Sequence, residues 1–203
     1  MNLSEILKSF FLRYLIRKKL PKGHMGYNSQ IHTPSIISRG SLENIFIGNN
    51  TTIDWDNTIY ANNAKFVFGD YSRAAVGLTV ITGNHITKPG EKMTNEDLMG
   101  QDVIVEEDVW IGTRVTLLAG AHICRGAIIG AGSVIRTSKV PPYSIVMGNP
   151  AKIVGFRYTP DEALEHERVF YPKEKRIPED VLRNNYSKYF IKRIKDINIF
   201  VKL

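Results

Sequence analysis

Between Val105 and Pro141 a residue of aliphatic or proline type recurs at every sixth position. The segment reads VEEDVW, IGTRVT, LLAGAH, ICRGAI, IGAGSV, IRTSKV and PPYSIV, led by Val105, Ile111, Leu117, Ile123, Ile129, Ile135 and Pro141. A step of six fits neither the period of an amphipathic helix nor the alternation of a half-buried strand. It is a pattern of short-repeat solenoids. Within each hexad a two-residue step alternates side chains across a strand, and a small residue one place (Gly112, Gly130) or two places (Ala119, Ala131) beyond the lead permits a tight corner. Three hexads then close a triangular coil of about eighteen residues whose lead residues stack as ladders. Ile111 is expected over Ile129, and Leu117 over Ile135. An ordinary parallel sheet would need helical crossovers, and no helix-length periodic segment separates these hexads.

A looser repeat lies upstream. Ile47, Ile53 and Ile59 lead IGNNTT, IDWDNT and IYANNA; after a three-residue slip, Phe68, Ala74 and Val80 lead FGDYSR, AAVGLT and VITGNH. The slip predicts a bulge or an extended corner. Residues 86–102, ITKPGEKMTNEDLMGQD, are polar, aperiodic and rich in turn formers, and predict a loop thrown out from the coil. Thr159-Pro160-Asp161-Glu162 predicts a helix start with Thr159 as N-cap, running to about Phe170. A second helix is expected from near Pro178, with Tyr186, Tyr189, Phe190, Ile194 and Ile197 as an apolar stripe. The fold class is therefore an all-β solenoid with an excursion loop and terminal helices. Its predicted parts are an N-terminal helix over 1–22, the β-helix over 23–157 with the excursion at 86–102, and a helical cap over 158–203 that would cover unpaired strand edges.

The formal net charge is +7, and its placement limits what it means. Residues 1–22 and 186–203 together carry +9, leaving −2 for the middle. No basic stripe interleaved with aromatics follows the repeat, so nucleic acid is not an expected partner. In the N-terminal segment Leu3, Ile6, Leu7, Phe10, Tyr14 and Leu15 share one helical face. Such a helix can rest on an anionic membrane surface through residues 1–20, although its apolar face is ordinary for a helix docked on protein. No stretch approaches the roughly 20 apolar residues of a membrane span, and no signal-peptide cleavage pattern is visible. The single cysteine, Cys124, leaves no disulfide framework. A cytoplasmic protein is the resulting expectation.

Val109-Trp110-Ile111-Gly112, Ile129-Gly130-Ala131-Gly132-Ser133-Val134 and the closing VPPYSIVMGNPAK over 140–152 carry a family resemblance. Over roughly residues 45–157 the chain resembles the left-handed β-helix hexapeptide acyltransferases. Maltose and galactoside O-acetyltransferases, xenobiotic acetyltransferases and bacterial polysaccharide O-acetyltransferases are the groups it looks most like. The resemblance implies left-handed coils, against the usual handedness of crossovers, acetyl-CoA as acyl donor, and a homotrimer with active sites shared between subunits. Two features depart from the maltose group. The sugar-site helical region at the N-terminus is not recognisable, and His85 is followed by Ile86-Thr87 instead of proline.

The resemblance implies that His85, in TGNHIT at the junction of coil and excursion, is the general base. The chemistry asks for one, because an alcohol attacking a thioester must lose its proton and an imidazole titrates near neutrality. A backbone N–H would stabilise the oxyanion. No covalent intermediate is needed, so Cys124 need not be a nucleophile. His122 ends a hexad and is expected on a coil surface; His24, His32 and His166 lie outside the repeat. For the acceptor, Asn84 adjoins the base, and Tyr60-Ala61-Asn62 resembles the sugar-site segment of galactoside and maltose enzymes. Trp55, between Asp54 and Asp56, either stacks on a pyranose ring or packs on the coil. For the donor, the resemblance puts Trp110 near the pantetheine arm, backbone at Gly112, Gly130 and Ala131 along its groove, and Arg136, Lys139, Lys152 and Arg157 near the CoA phosphates.

The predicted reaction is acetyl transfer to a hydroxyl of a sugar or surface glycan. Transfer to a xenobiotic of streptogramin or chloramphenicol type, or to an amino-sugar nitrogen, is the alternative on the same fold. A zinc-dependent carbonic anhydrase would need three converging histidines. Only His85 and His122 fall within the repeat, with no close histidine pair, so no metal is expected.

Overall fold

The computed structural model describes residues 20–92 and 98–193, with Ser4 and Leu7. Most of the expected N-terminal helix lies outside the described residues, and of its apolar face only Leu7 is described; Ser4 and Leu7 are helical and exposed. The chain winds as a parallel β-solenoid with three sheets. Sheet A stacks β3 (Ile45–Ile47), β6 (Phe66–Phe68), β11 (Val103–Val105), β14 (Ala121–Ile123) and β17 (Ser138–Val140). Sheet B stacks β1 (Gln30–Ile31), β4 (Thr52–Ile53), β7 (Arg73–Ala74), β12 (Trp110–Ile111), β15 (Ile128–Ile129) and β18 (Ser144–Gly148), and is closed by an antiparallel β19 (Ala151–Phe156). Sheet C stacks β2 (Ser35–Ile37), β5 (Asn57–Tyr60), β8 (Thr79–Ile81), β13 (Thr116–Leu118) and β16 (Val134–Ile135).

The lead residues form the core as the hexad predicts. Ile111 pairs in register with Ile129, and Leu117 with Ile135. Ile53, Ala74, Ile111 and Ile129 make one buried ladder; Ile59, Val80, Leu117 and Ile135 make another. The three-residue slip is an extended corner over 61–65, between β5 and β6. One expected lead is displaced. Val140, not Pro141, pairs with Ile123, and Val146 pairs with Ile129. Proline has no N–H to give a sheet, so Pro141 takes the corner and its carbonyl accepts from the Ser144 N–H at 3.3 Å.

The corners carry a second regularity. Between sheets A and B, Asn50, Tyr71, Asp108, Gly126 and Tyr143 each have positive φ; between B and C, Asp56, Gly77, Arg114 and Gly132 do. At each of these corners the left-handed residue donates its N–H to the coil beneath, as from Asp108 to the Asp70 carbonyl at 2.9 Å and from Gly132 to the Thr113 carbonyl at 2.8 Å. Only a small αL region is open to residues other than glycine. Among the described residues the corner from C to A has no such column.

The excursion leaves from that irregular corner, and its base differs from the expected loop. β9 (Gly83–His85) pairs antiparallel with β10 (Leu98–Gly100), so part of 86–102 is a strand. Antiparallel pairing lets a chain leave the coil and return while its backbone groups stay satisfied. Asp102 accepts from the Lys65 N–H at 2.8 Å, and the Gln101 N–H donates to the Thr82 carbonyl at 2.9 Å, which pins the return.

Helix α1 (Pro160–Phe170) begins with the expected capping box: Thr159 and Glu162 bond reciprocally. It lies against the A–B corner, where its buried Glu167 accepts from the Tyr143 hydroxyl at 2.6 Å and from Arg125 Nη1 at 2.9 Å. Helix α2 (Glu179–Tyr189) follows Pro178, and Leu182 joins Ala163 and Tyr143 in a small core. Tyr186 and Phe190 face Phe156 of β19 with ring centroids 5.3 and 6.5 Å away. Ile194 and Ile197 lie outside the described residues. No described helix is long and apolar enough to cross a membrane.

Candidate active site

Four of the acceptor-side residues lie at the corner where sheet C turns towards sheet A. His85 and Asn84 stand exposed on β9, opposite Leu98 and Met99 of β10. Tyr60 ends β5 directly below the arm: its carbonyl accepts from the Thr82 N–H at 3.0 Å, and its side chain is 44% exposed. Asn62 lies on the extended corner, where its Oδ1 accepts from the Ser41 hydroxyl at 2.8 Å. Asn63, its neighbour, holds the arm close. A Cβ added at Gly100 would collide with the Asn63 carbonyl, so glycine there lets the hairpin return flush against this corner. His85 donates its backbone N–H to Asn84 Oδ1 at 3.2 Å, leaving the imidazole at the solvent edge of the arm.

The other expected contacts are spread around the coil. Trp55 lies at the B–C corner, 49% exposed, with its ring stacked over His32 at 6.1 Å. Asp54 is 4.0 Å from His32, and Asp56 is 3.9 Å from Arg114. Trp110 projects from sheet B, 55% exposed, between Arg73 and Ile128 in register. It lines a shallow cleft of about 260 Å³ together with Tyr71, Arg73 and Arg157. Trp110 and Arg157 are thus brought together, although the guanidinium is already paired with Asp108 at 2.9 Å.

Gly112, Gly130 and Ala131 lie at or beside the B–C corner. A Cβ at Gly112 would stand 2.7 Å from the Ala131 backbone N, and one at Gly130 2.8 Å from the Met147 Cβ. Coil stacking alone therefore demands glycine at both. The remaining cations diverge. Arg136 is exposed after β16, Lys139 lies on sheet A in register with His122, and Lys152 lies on β19 opposite Met147. One chain does not gather the four cations on a single element.

The A–B corner holds groups that sequence reasoning missed. Arg125, Glu167 and Tyr143 form a buried network, and burial together with the bond to Glu167 pushes the Tyr143 hydroxyl well above the usual phenol range. Beside it, Glu106 Oε1 lies 2.6 Å from His122 Nε2, and Cys124 is close to both. Burial, then the Glu106 carboxylate, pushes the Cys124 thiol up to about 12. The signal was present: a coil of about eighteen residues sets position 106 beside 124. Histidine spacing alone does not reveal it. A cleft of about 510 Å³ between this corner and α1 includes Tyr71, His166, Phe170 and Tyr171 in its lining, away from His85.

Residues 102–137 match the bacterial transferase hexapeptide (six repeats) family model. A probable macrolide acetyltransferase from Lysinibacillus sphaericus is 38% identical over 108 residues, covering 52% of this chain. The chain spans only 59% of that relative's own length. The galactoside O-acetyltransferase of Escherichia coli K12 is 27% identical, with 77% of this chain and 72% of that protein covered. A hexapeptide-repeat acetyltransferase from Vibrio cholerae, solved in complex with acetyl coenzyme A, superposes with a TM-score of 0.62 at 25% identity, covering 71% of this chain and 75% of that one. The protein is a hexapeptide-repeat β-solenoid. More particularly, it resembles the acetyltransferases built on that repeat, the galactoside enzymes among them.

Proposed function

We propose that the protein is an acetyl-CoA-dependent O-acetyltransferase acting on a hydroxyl of a sugar or surface glycan, with His85 as general base. The observation that carries this reading is the placement of His85 on the paired base of the excursion hairpin, beside Asn84 and above Tyr60 and Asn62. The imidazole takes the proton of the acceptor hydroxyl as its oxygen attacks the thioester carbonyl; the C–S bond then breaks, and the sulfur leaves as the CoA thiol once protonated. A direct transfer of this kind needs no enzyme nucleophile. Trp110 and the B–C corner line the donor arm in this reading, and Lys152 is the leading phosphate contact.

The site is completed by a second copy of the chain. Leu98, Met99 and Ile86 on the arm are 42%, 47% and 38% exposed, and Trp110 lies on a different face from His85. A homotrimer that sets one copy's arm against another copy's coil would cover these apolar groups and bring donor and acceptor contacts together. The 38% identical macrolide relative supports a second acceptor class, a xenobiotic hydroxyl, on the same machinery. An acceptor panel with acetyl-CoA separates the readings. Hydroxylamine-labile product on glycosides is expected; labile product confined to macrolides favours the xenobiotic reading, and hydroxylamine-stable amides would overturn O-transfer.

A further inference from the structure

We propose that Glu106, His122 and Cys124 form a divalent transition-metal site, of the zinc class, on the flank between sheet A and helix α2. The proposal does not rest on the acetyl-transfer reading. One donor atom of each residue lies within 4.8 Å of the others. Two neighbouring coils supply them: His122 and Cys124 flank Ile123 at the end of β14, and coil stacking brings Glu106, which follows Val105, beside them. Zinc takes thiolate, imidazole and carboxylate at about 2.0–2.3 Å in tetrahedral geometry. Opening the 2.6 Å Glu106–His122 contact slightly makes room for such an ion.

Further features fit this chemistry. The second carboxylate oxygen of Glu106 accepts the Arg125 N–H at 2.9 Å, an outer bond of the kind that fixes a ligand's orientation. A cleft of about 400 Å³, lined by Glu106, Cys124, Lys139 and Ile177, reaches the thiol from outside and leaves room for a water as fourth ligand. With the carboxylate and a thiolate, the donor set carries two negative charges, matching a divalent ion. The cations nearby are compatible: Arg125 is held by Glu107 and Glu167 at 2.9 Å each, and Lys139 is exposed at the rim. A thiol binds such an ion as the thiolate, so binding releases the Cys124 proton as the sulfur–metal bond forms, and affinity rises with pH.

The test is a titration of the chelator-stripped, full-length protein with Co(II), read by absorption. Cys124 is the single cysteine, so a thiolate-to-cobalt charge-transfer band can come from no other residue. The expected result is such a band with tetrahedral visible transitions, saturating at an equimolar ratio and bleached by Zn(II). Cys124→Ser should abolish the band, and His122→Asn should weaken binding by at least the roughly tenfold that loss of an outer-shell partner costs. Absence of the band in the wild-type protein at saturating Co(II) overturns the site, independently of how any variant folds. Equal binding by His122→Asn overturns the ligand set.

Discussion

From sheet A to sheet B and from sheet B to sheet C, successive coils turn through stacked residues of positive φ: Asn50, Tyr71, Asp108, Gly126 and Tyr143 at the first corner, Asp56, Gly77, Arg114 and Gly132 at the second. From sheet C back to sheet A the connection varies, from 119–120 and 136–137 to the whole of 82–102. The contrast shows how a repeat fold makes room for an excursion. Two corners and the apolar ladders fix the register of each coil, so the third can lengthen at little cost, because loop-closure entropy grows slowly with length. His85, Asn84 and Asn62 all belong to the corner that is free to vary.

The largest effect is expected at the A–B corner. Glu167→Ala would leave the 12% exposed Arg125 side chain without its main partner and remove the acceptor of the Tyr143 hydroxyl. A loss of about 3–5 kcal/mol is expected by chemical denaturation, with α1 released. A loss under ~1 kcal/mol would mean that the corner does not organise the helices.

A matched pair of glycines separates a stacked corner from the excursion. Gly132 at the B–C corner and Gly90 in the excursion have φ of +69° and +83°, and neither would meet an atom within 4 Å on gaining a Cβ. Backbone strain is then the whole effect. Gly132→Ala should cost about 1–2 kcal/mol, because its coil cannot relax without disturbing its neighbours. Gly90→Ala should stay within about 0.5 kcal/mol, since an arm can readjust locally. Equal melting shifts would erase the proposed distinction between corners.

The smallest effect is a pH dependence. Cys124, Tyr143 and Tyr171 all belong to the A–B side and all hold their protons more tightly than usual, burial being the leading cause in each. Raised acids stabilise the fold fully below their unfolded values. That contribution is lost as the unfolded chain releases protons first, from the ordinary thiol value of 9.0 towards the Cys124 value of about 12. Melting temperature should therefore fall progressively above pH about 9, and Cys124→Ser should flatten part of that fall. A flat profile across this window would contradict the buried assignments.

The ladders were legible in the sequence because a single physical demand, an aliphatic side chain pointing inward, repeats at fixed spacing. Ile111 over Ile129 and the extended corner after Tyr60 follow from that spacing alone. Val140 taking the place expected of Pro141 did not, since it depends on which backbone N–H the sheet needs. The pairing of Leu98 with His85 was hidden for a related reason: a polar, turn-rich segment gives no apolar signal for a two-stranded arm exposed on its outer face. Thr159 and Glu162 announced their helix because a capping box is local. The network of Arg125, Glu167 and Tyr143 was silent, because its members meet only when α1 folds back on the corner.

In the proposed reaction the variable corner acts through His85. The most direct test of this role is kcat/KM with acetyl-CoA and a responsive acceptor for wild type and His85→Ala, with melting temperature measured on the same samples. The expected result is a fall of about 10²–10⁴-fold with the fold intact, because the imidazole sits on an exposed arm and its loss removes general-base assistance alone. Turnover like the wild type in a folded His85→Ala protein would rule out His85 as the base.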